Sequence, residues 1–345
     1  MAAEESLNET LTDQNTRNFT ARYKGLKVMV TGGLGFIGSN LAKRLVQLGA
    51  DVVVVDSLHP NTGGNTANLE GYEGKLAIVP LDLIACKTRP DIFDGLSTVF
   101  NLAGHVSHID SMNDPISDME ANVHAQIALL ECCRHRAADA QIVFASTRQI
   151  YGRPVSFPVN ESHPLNPIDV NGINKMAAEA YHLLYRQVYG LRAISLRLTN
   201  TYGPGMRIKD ARQTFLGIWI RCVLENQPFE VWGGQQLRDF TYIEDVVDSF
   251  LLAGMCVSAS GQVFNIGGGP AISLLELAEL LVKVNGSGQF ELREFPPDRL
   301  RIDIGNYFAD DRTFRKLTGW APQTTLSEGL RKTLDYYQSR LEAYD

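Results

Sequence analysis

From Lys27 to about Leu198 the chain alternates short apolar runs with stretches that carry apolar residues at helical spacing. The apolar runs predict strands at Lys27–Val30, Asp51–Val55, Lys75–Pro80, Thr98–Leu102, Gln141–Ala145 and Ala193–Leu198. Helices are expected between them: Ser39–Leu48, with Leu41, Leu45 and Leu48 as its apolar positions, Ile116–Arg136, and Asn174–Tyr189. This alternation predicts an α/β fold, a doubly wound parallel sheet covered by helices on both faces. After Gly203 the rhythm breaks. Gly-Pro-Gly, Trp-Gly-Gly and Gly-Gly-Gly-Pro segments cut the chain into shorter pieces, with helices expected at Arg212–Glu225, Ile243–Met255 and Ser273–Asn285. Ser273 and Glu276 have the spacing of a capping box at the start of the last. The expected organisation is a polar N-terminal extension over 1–24, a first domain over 25–200 joined by part of 230–260, and a smaller mixed domain over 201–345.

Composition narrows the picture. At 345 residues, with 44% hydrophobic and 21% charged residues, the chain is an ordinary globular protein with room for two domains. A net charge of −7 argues against non-specific binding to nucleic acid, while leaving room for a local basic pocket. No apolar run approaches the length of a membrane span. The five cysteines show neither disulfide nor metal-ligand spacing, so no metal site is expected. Met1 to Thr20 is polar and lacks a signal-peptide core, and a cytoplasmic location follows as an expectation.

The first strand-to-helix turn carries the chemistry. Gly33, Gly35 and Gly38 fill the spacing G-x-G-x-x-G in Val28-Met-Val-Thr-Gly-Gly-Leu-Gly-Phe-Ile-Gly38. Glycines there permit a tight turn, let backbone approach a pyrophosphate, and allow close helix–strand packing, while the helix N-terminus offers its amides to phosphate. The second run, Asp-Val-Val-Val-Val, ends in Asp56, 18 residues after Gly38. A carboxylate at that strand tip accepts hydrogen bonds from an adenosine ribose and repels a 2′-phosphate. The expected cofactor of this Rossmann-type domain is therefore NAD rather than NADP.

These residues, together with Asn101-Leu-Ala-Gly104, Tyr151-Gly152 and Arg238-Asp-Phe-Thr-Tyr-Ile-Glu-Asp245, resemble the extended short-chain dehydrogenase/reductase family. The likeness is greatest to its nucleotide-sugar epimerases and dehydratases, and it spans about Lys27 to Tyr337. It implies that Phe36 and Ile37 lie along the pyrophosphate, that Asp82 and Leu83 flank the adenine, and that Leu102, Ala103 and Gly104 line the cofactor groove. It also implies a nucleotide-diphosphate sugar as substrate and a homodimer packed through Ile116–Arg136 and Asn174–Tyr189. Asn200 and Arg238 match residues that contact the diphosphate; a turn cap and an ion pair with Asp239 are their plainer readings. The family's Arg-Pro-Gly-Asp segment appears as Phe295-Pro-Pro-Asp298, which keeps Asp298 for the substrate and leaves Arg299 or Arg301 to replace the arginine.

Chemistry in this family begins with oxidation of a sugar hydroxyl, usually at C4, to a ketone. The proton is normally taken by the Tyr of Y-x-x-x-K, whose Lys holds the nicotinamide ribose, with a nearby Ser or Thr sharing it. Here Lys175 and Thr147 fit, but the tyrosine position is Asn171, and an amide does not serve as a general base. The alternatives are a desolvated Lys175, or His105 and His108, which follow the groove segment and titrate in the right range. Arg148 stays protonated, and Tyr151 and Tyr202 read as packing residues. The dehydratases that resemble this chain carry Asp-Glu directly after the Thr, and the decarboxylases a Glu two residues after it. Those positions are Arg148 and Gln149 here. The expected function is an NAD-dependent epimerase; a 4-dehydrogenase and a nucleotide-sugar-binding protein without redox chemistry are the alternatives.

Overall fold

The computed structural model describes residues 18–59, 62–210, 214–267 and 269–345, and in the helix Pro297–Leu300 the backbone alone of residues 298 and 299. The strands are β1 (Lys27–Thr31), β2 (Asp51–Asp56), β3 (Ala77–Pro80), β4 (Leu96–Asn101), β5 (Gln141–Thr147), β6 (Arg192–Leu198), β7 (Asn200–Tyr202), β8 (Phe229–Trp232), β9 (Leu237–Arg238), β10 (Phe240–Tyr242), β11 (Val263–Ile266), β12 (Ile272–Ser273) and β13 (Phe290–Arg293). Seven of them form one parallel sheet in the order β11-β6-β5-β4-β1-β2-β3.

Side chains of a strand alternate between faces, so a strand apolar throughout must be covered twice. That is the case here. Val28, Val30, Val52, Val54 and Phe100 pack into one core, and Met29, Val53, Val55 and Val99 into another on the opposite face. The helices Phe36–Gln47 and Ile243–Met255 contribute to the first core, and Ala125–Arg136 to the second.

Strand order reverses between β1 and β4, and such a reversal opens a crevice at the carboxyl ends of the strands. A buried polar network pins it. Thr31 Oγ1 donates to Asn101 Oδ1 at 2.9 Å and accepts the amides of Leu102 and Ala103, while Asn101 Nδ2 donates to Gln126 Oε1 at 2.6 Å.

Several elements differ from the sequence reading. The first helix starts at Phe36 rather than Ser39, inside the glycine motif. The helix Val170–Tyr189 starts four residues before Asn174 because Asp169 caps it, accepting the amide of Gly172 at 2.6 Å. The segment expected as Ile116–Arg136 begins at Pro115 and carries a π-turn at Glu120–His124. The seventh strand, Val263–Ile266, is too short to signal itself by pattern. The helix expected from Arg212 is described as Phe215–Leu224, and 212–213 lie outside the described residues. Ser273 and Glu276 form the capping box. Most of the 1–24 extension lies outside the described residues, but residues 18–23 are helical and dock: Phe19 and Tyr23, one turn apart, enter the core, and Tyr23 donates to the Leu251 carbonyl at 2.7 Å. Cys86 and Cys132, distant in sequence, bring their sulfurs to 3.0 Å without a disulfide. Among the described residues no helix is long and apolar enough to cross a membrane.

Candidate active site

The crevice continues into one cavity of about 590 Å³ that runs from the glycine turn across the ends of β1, β4, β5 and β6 to Phe215, Trp232 and Phe295 in the segments after Gly203. Gly35, Phe36, Ile37 and Gly38 line its start as the first turn of the helix Phe36–Gln47, which has no side-chain cap, so its leading amides are offered to the cavity. Each glycine has a separate task. A Cβ on Gly38 would stand 2.2 Å from the Gly32 carbonyl oxygen, so the helix can pack on the turn only without one. Gly33 packs against Val54, whose side chain would lie 2.7 Å from a Cβ, while its neighbours Gly32 and Gly35 line the cavity. Gly32, outside the G-x-G-x-x-G count, holds the positive φ of the turn (66°) and lines the cavity against Ala103.

Asp56 lies at the tip of β2, its carboxylate fixed by the amides of Leu34 (3.0 Å) and Leu58 (2.9 Å). Asp82, which accepts the amide of Ile84 at 2.9 Å, and Leu83 line the same end. Leu102, Ala103 and Gly104 form the opposite wall. A Cβ on Gly104 would come within 2.3 Å of Asn122 Oδ1 and 3.0 Å of Lys175 Nζ.

Lys175 is buried at the cavity floor. Its hydrogen bond among the described residues is a long one, 3.5 Å to the Ala145 carbonyl, and Nζ stands 5.3 Å from the Phe144 ring centre. Burial lowers its pKa to about 8, with the negative charge of Asp118 opposing the shift. An ammonium with donors to spare, in a cavity region where Asn122 Oδ1 and Ser146 Oγ are buried without partners among the described residues, is suited to the hydroxyls of a bound ribose. Thr147 lines the cavity beside it and accepts the amide of Gln149 at 3.3 Å.

Asn171 is held by two hydrogen bonds from its side chain. Its Nδ2 donates to the His105 carbonyl at 2.8 Å and to Asp118 Oδ2 at 3.0 Å, and Asn174 completes that carboxylate at 2.8 Å. The amide at the tyrosine position lines the cavity and is held there as a brace by these bonds. His108 is differently placed. Nδ1 lies 2.6 Å from the buried Asp169 Oδ2, and the other ring nitrogen meets the side-chain amide of Gln149 at the cavity wall. His105 also lines the cavity, and burial lowers its pKa. Tyr151 is fully buried and bonded to Asn265 and Arg197; burial raises its pKa to about 12, and Tyr202 is likewise buried and raised. Both are packing residues.

In the far half, Arg148 Nη2 donates to Asn200 Oδ1 at 2.9 Å, and Asn200 Nδ2 to the Asp239 carbonyl at 2.8 Å. Arg238 lines the cavity but pairs with Asp303 at 3.1 Å and with the carbonyls of Leu237 and Gly305, rather than with Asp239. Burial, and the nearby Arg148 charge, lower its pKa to about 10. Phe215, Trp232 and Phe295 supply aromatic surface. The side chains of Asp298 and Arg299 lie outside the described residues. Sequence reasoning missed Asp169, Asp118 and Asn122; the helix-cap position of Asp169 was the one available signal.

A parallel sheet with a glycine turn at its switch point, an acidic strand tip and a buried lysine define a dinucleotide-dependent α/β enzyme. Residues 28–267 match the NAD dependent epimerase/dehydratase family, and the chain belongs to it. The UDP-glucose 4-epimerase of Mycolicibacterium smegmatis is 31% identical over 325 residues, which cover 91% of this chain and 99% of that protein. The UDP-glucuronic acid decarboxylase 1 of Xenopus tropicalis is 28% identical, with 94% of this chain and 77% of the relative aligned. Among solved structures, the UDP-glucose 4-epimerase of Thermotoga maritima, determined with UDP-glucose, has a TM-score of 0.82 at 28% identity, covering 92% of this chain and 100% of that one.

Proposed function

We propose that this protein is a nucleotide-sugar epimerase that works through a transient 4-keto sugar. The observation that carries the reading is the environment of Arg148. Where the resembling dehydratases and decarboxylases place carboxylates after the Thr, this chain has a guanidinium turned to Asn200 and the amide of Gln149. With no carboxylate at those positions to take a C5 proton or guide carboxylate loss, re-reduction of the ketone on its other face is the outcome the site favours. Bound NAD would supply a hydride acceptor that becomes the donor on the return step. Phe36, Ile37, Asp56, Asp82, Leu83, Leu102, Ala103, Gly104 and Lys175 would hold it.

The chain's own residues divide the remaining work. Arg148, Asn200 and Arg238 are disposed to bind a diphosphate, where a guanidinium gives paired charge-assisted hydrogen bonds. Phe215, Trp232 and Phe295 offer faces for a nucleobase, and the UDP ligands of the relatives make uridine the first nucleotide to test. Thr147 shares the reacting hydroxyl's proton. A homodimer fits the exposed apolar stripe Ile173, Ala180, Leu184 and Val188 on the helix Val170–Tyr189, with half-buried Ala177 between them and Ile116 and Met119 exposed on the neighbouring segment. The test is to incubate NAD-loaded protein with a panel of nucleotide sugars and read product stereochemistry by NMR. A 4-epimer without net NADH supports the reading, and accumulating NADH replaces it with a 4-dehydrogenase. Binding without chemistry would leave a binding protein.

A further inference from the structure

We propose that His108 is the general base of the oxidation step, held in its working tautomer by Asp169. The proposal rests on the redox reading above and goes beyond it in naming the group that stands in for the tyrosine.

Three observations carry it. Asp169 is buried while His108 is about one-third exposed on the cavity wall, so the pair is arranged with its carboxylate inside and its imidazole toward the ligand. The separation of 2.6 Å fixes Nδ1–H as the donor to the ionised Asp169 Oδ2, which leaves the Nε2 lone pair outward. That carboxylate stays ionised: burial works against the charge, but the His108 hydrogen bond and the Gly172 amide outweigh it and lower the pKa. The same carboxylate caps the helix that carries Lys175, Oδ1 taking the Gly172 amide at 2.6 Å. The base and the ribose-holding lysine are thus registered to one rigid element.

The third observation concerns Gln149. Its side-chain N–H donates to His108 Nε2, and its Oε1 is buried without a partner among the described residues. The amide therefore occupies the lone pair that a sugar hydroxyl would use, and it pays little to move aside because half of it is unsatisfied. In the step itself the hydroxyl O–H bond breaks and its proton passes to Nε2. The hydride on the same carbon leaves to the acceptor NAD supplies, and the carbinol becomes C=O. Return of the hydride to the other face takes the proton back from Nε2.

The test compares wild type with His108→Gln and Asp169→Asn, each loaded with NAD and given the nucleotide sugar that wild type converts. His108→Gln should bind NAD and the sugar within about threefold of wild type by calorimetry while single-turnover NAD reduction falls about 100-fold or more. Asparagine is an equally good helix cap, so Asp169→Asn should melt near wild type, yet its amide turns N–H toward Nδ1 and imposes the opposite tautomer. Nitrogen-15 spectra of the labelled protein without substrate should show His108 as Nδ1–H in wild type and Nε2–H in Asp169→Asn. A wild-type Nε2–H tautomer overturns the proposal, as does a His108→Gln enzyme at wild-type rate. If wild type converts no nucleotide sugar, the redox reading itself falls and takes the proposal with it.

Discussion

The side-chain amide of Asn171 donates to Asp118 Oδ2 across 3.0 Å, both residues being about 2% exposed. The position at which the family resemblance leads one to expect a tyrosine holds here an amide that supports a buried carboxylate. That carboxylate also receives Asn174 and provides the negative charge nearest to Lys175 in effect.

Asn171→Tyr should therefore not restore a base. Asn171 lines the cavity, but a phenol has one O–H where the amide makes two donations, so it strands the His105 carbonyl or one Asp118 oxygen. An unmet buried polar group costs about 1–3 kcal/mol. The variant should melt several degrees lower and reduce bound NAD no faster than wild type in a stopped-flow trace. A tenfold gain at unchanged melting temperature would contradict this.

Lys175 trades stability for its site. Its folded pKa of about 8 lies below the ordinary value near 10.4, so between about pH 8 and 10 the unfolded chain holds more protons and stability rises with pH. Removing the charge with Lys175→Met should stabilise the cofactor-free protein at pH 7 by up to about 3 kcal/mol, an advantage that disappears above about pH 10. NAD affinity should fall in the same variant. Denaturant melts across pH 7 to 10 check it; a pH-independent difference would place the ammonium in water.

What was legible in the sequence, and what was not, follows from how far each signal reaches. The β1 turn, the β2 tip at Asp56 and the two-faced apolar strands were readable because each is set by neighbours within one strand–turn–helix unit. Gly32 escaped because the motif counts spacing, whereas the positive φ falls one residue earlier. The Arg238–Asp303 pair and the Asp118 carboxylate under Asn171 depend on segments 65 and 53 residues apart, which no local pattern joins. The docked aromatic pair Phe19 and Tyr23 hid in a stretch whose composition is otherwise polar.

Asp56 should exclude NADP. Its two backbone bonds prevent the carboxylate from swinging away, and a phosphate charge about 4 Å distant would meet up to about 4 kcal/mol of repulsion at an effective dielectric near 20. Calorimetry should show NADP binding at least 100-fold weaker than NAD, with the gap narrowing in Asp56→Asn. Equal affinities in wild type would remove Asp56 from the ribose site.

The exposed stripe on the helix Val170–Tyr189 predicts self-association. Leu184→Glu places a charge in its middle and should convert a dimer to a monomer in light scattering while leaving the melting curve of the folded chain cooperative. A wild-type protein that is monomeric at micromolar concentration would assign the stripe to something else.

In the proposed reaction one hydride leaves a sugar carbon and returns to it within a single cavity. The most direct measurement uses a nucleotide sugar carrying deuterium at C4, converted in ordinary water by the NAD-loaded enzyme. The epimer should retain the deuterium at C4, with no net NADH and no exchange with solvent. Loss of the label to water would show that the carbon is deprotonated rather than oxidised, and would contradict the proposed reaction.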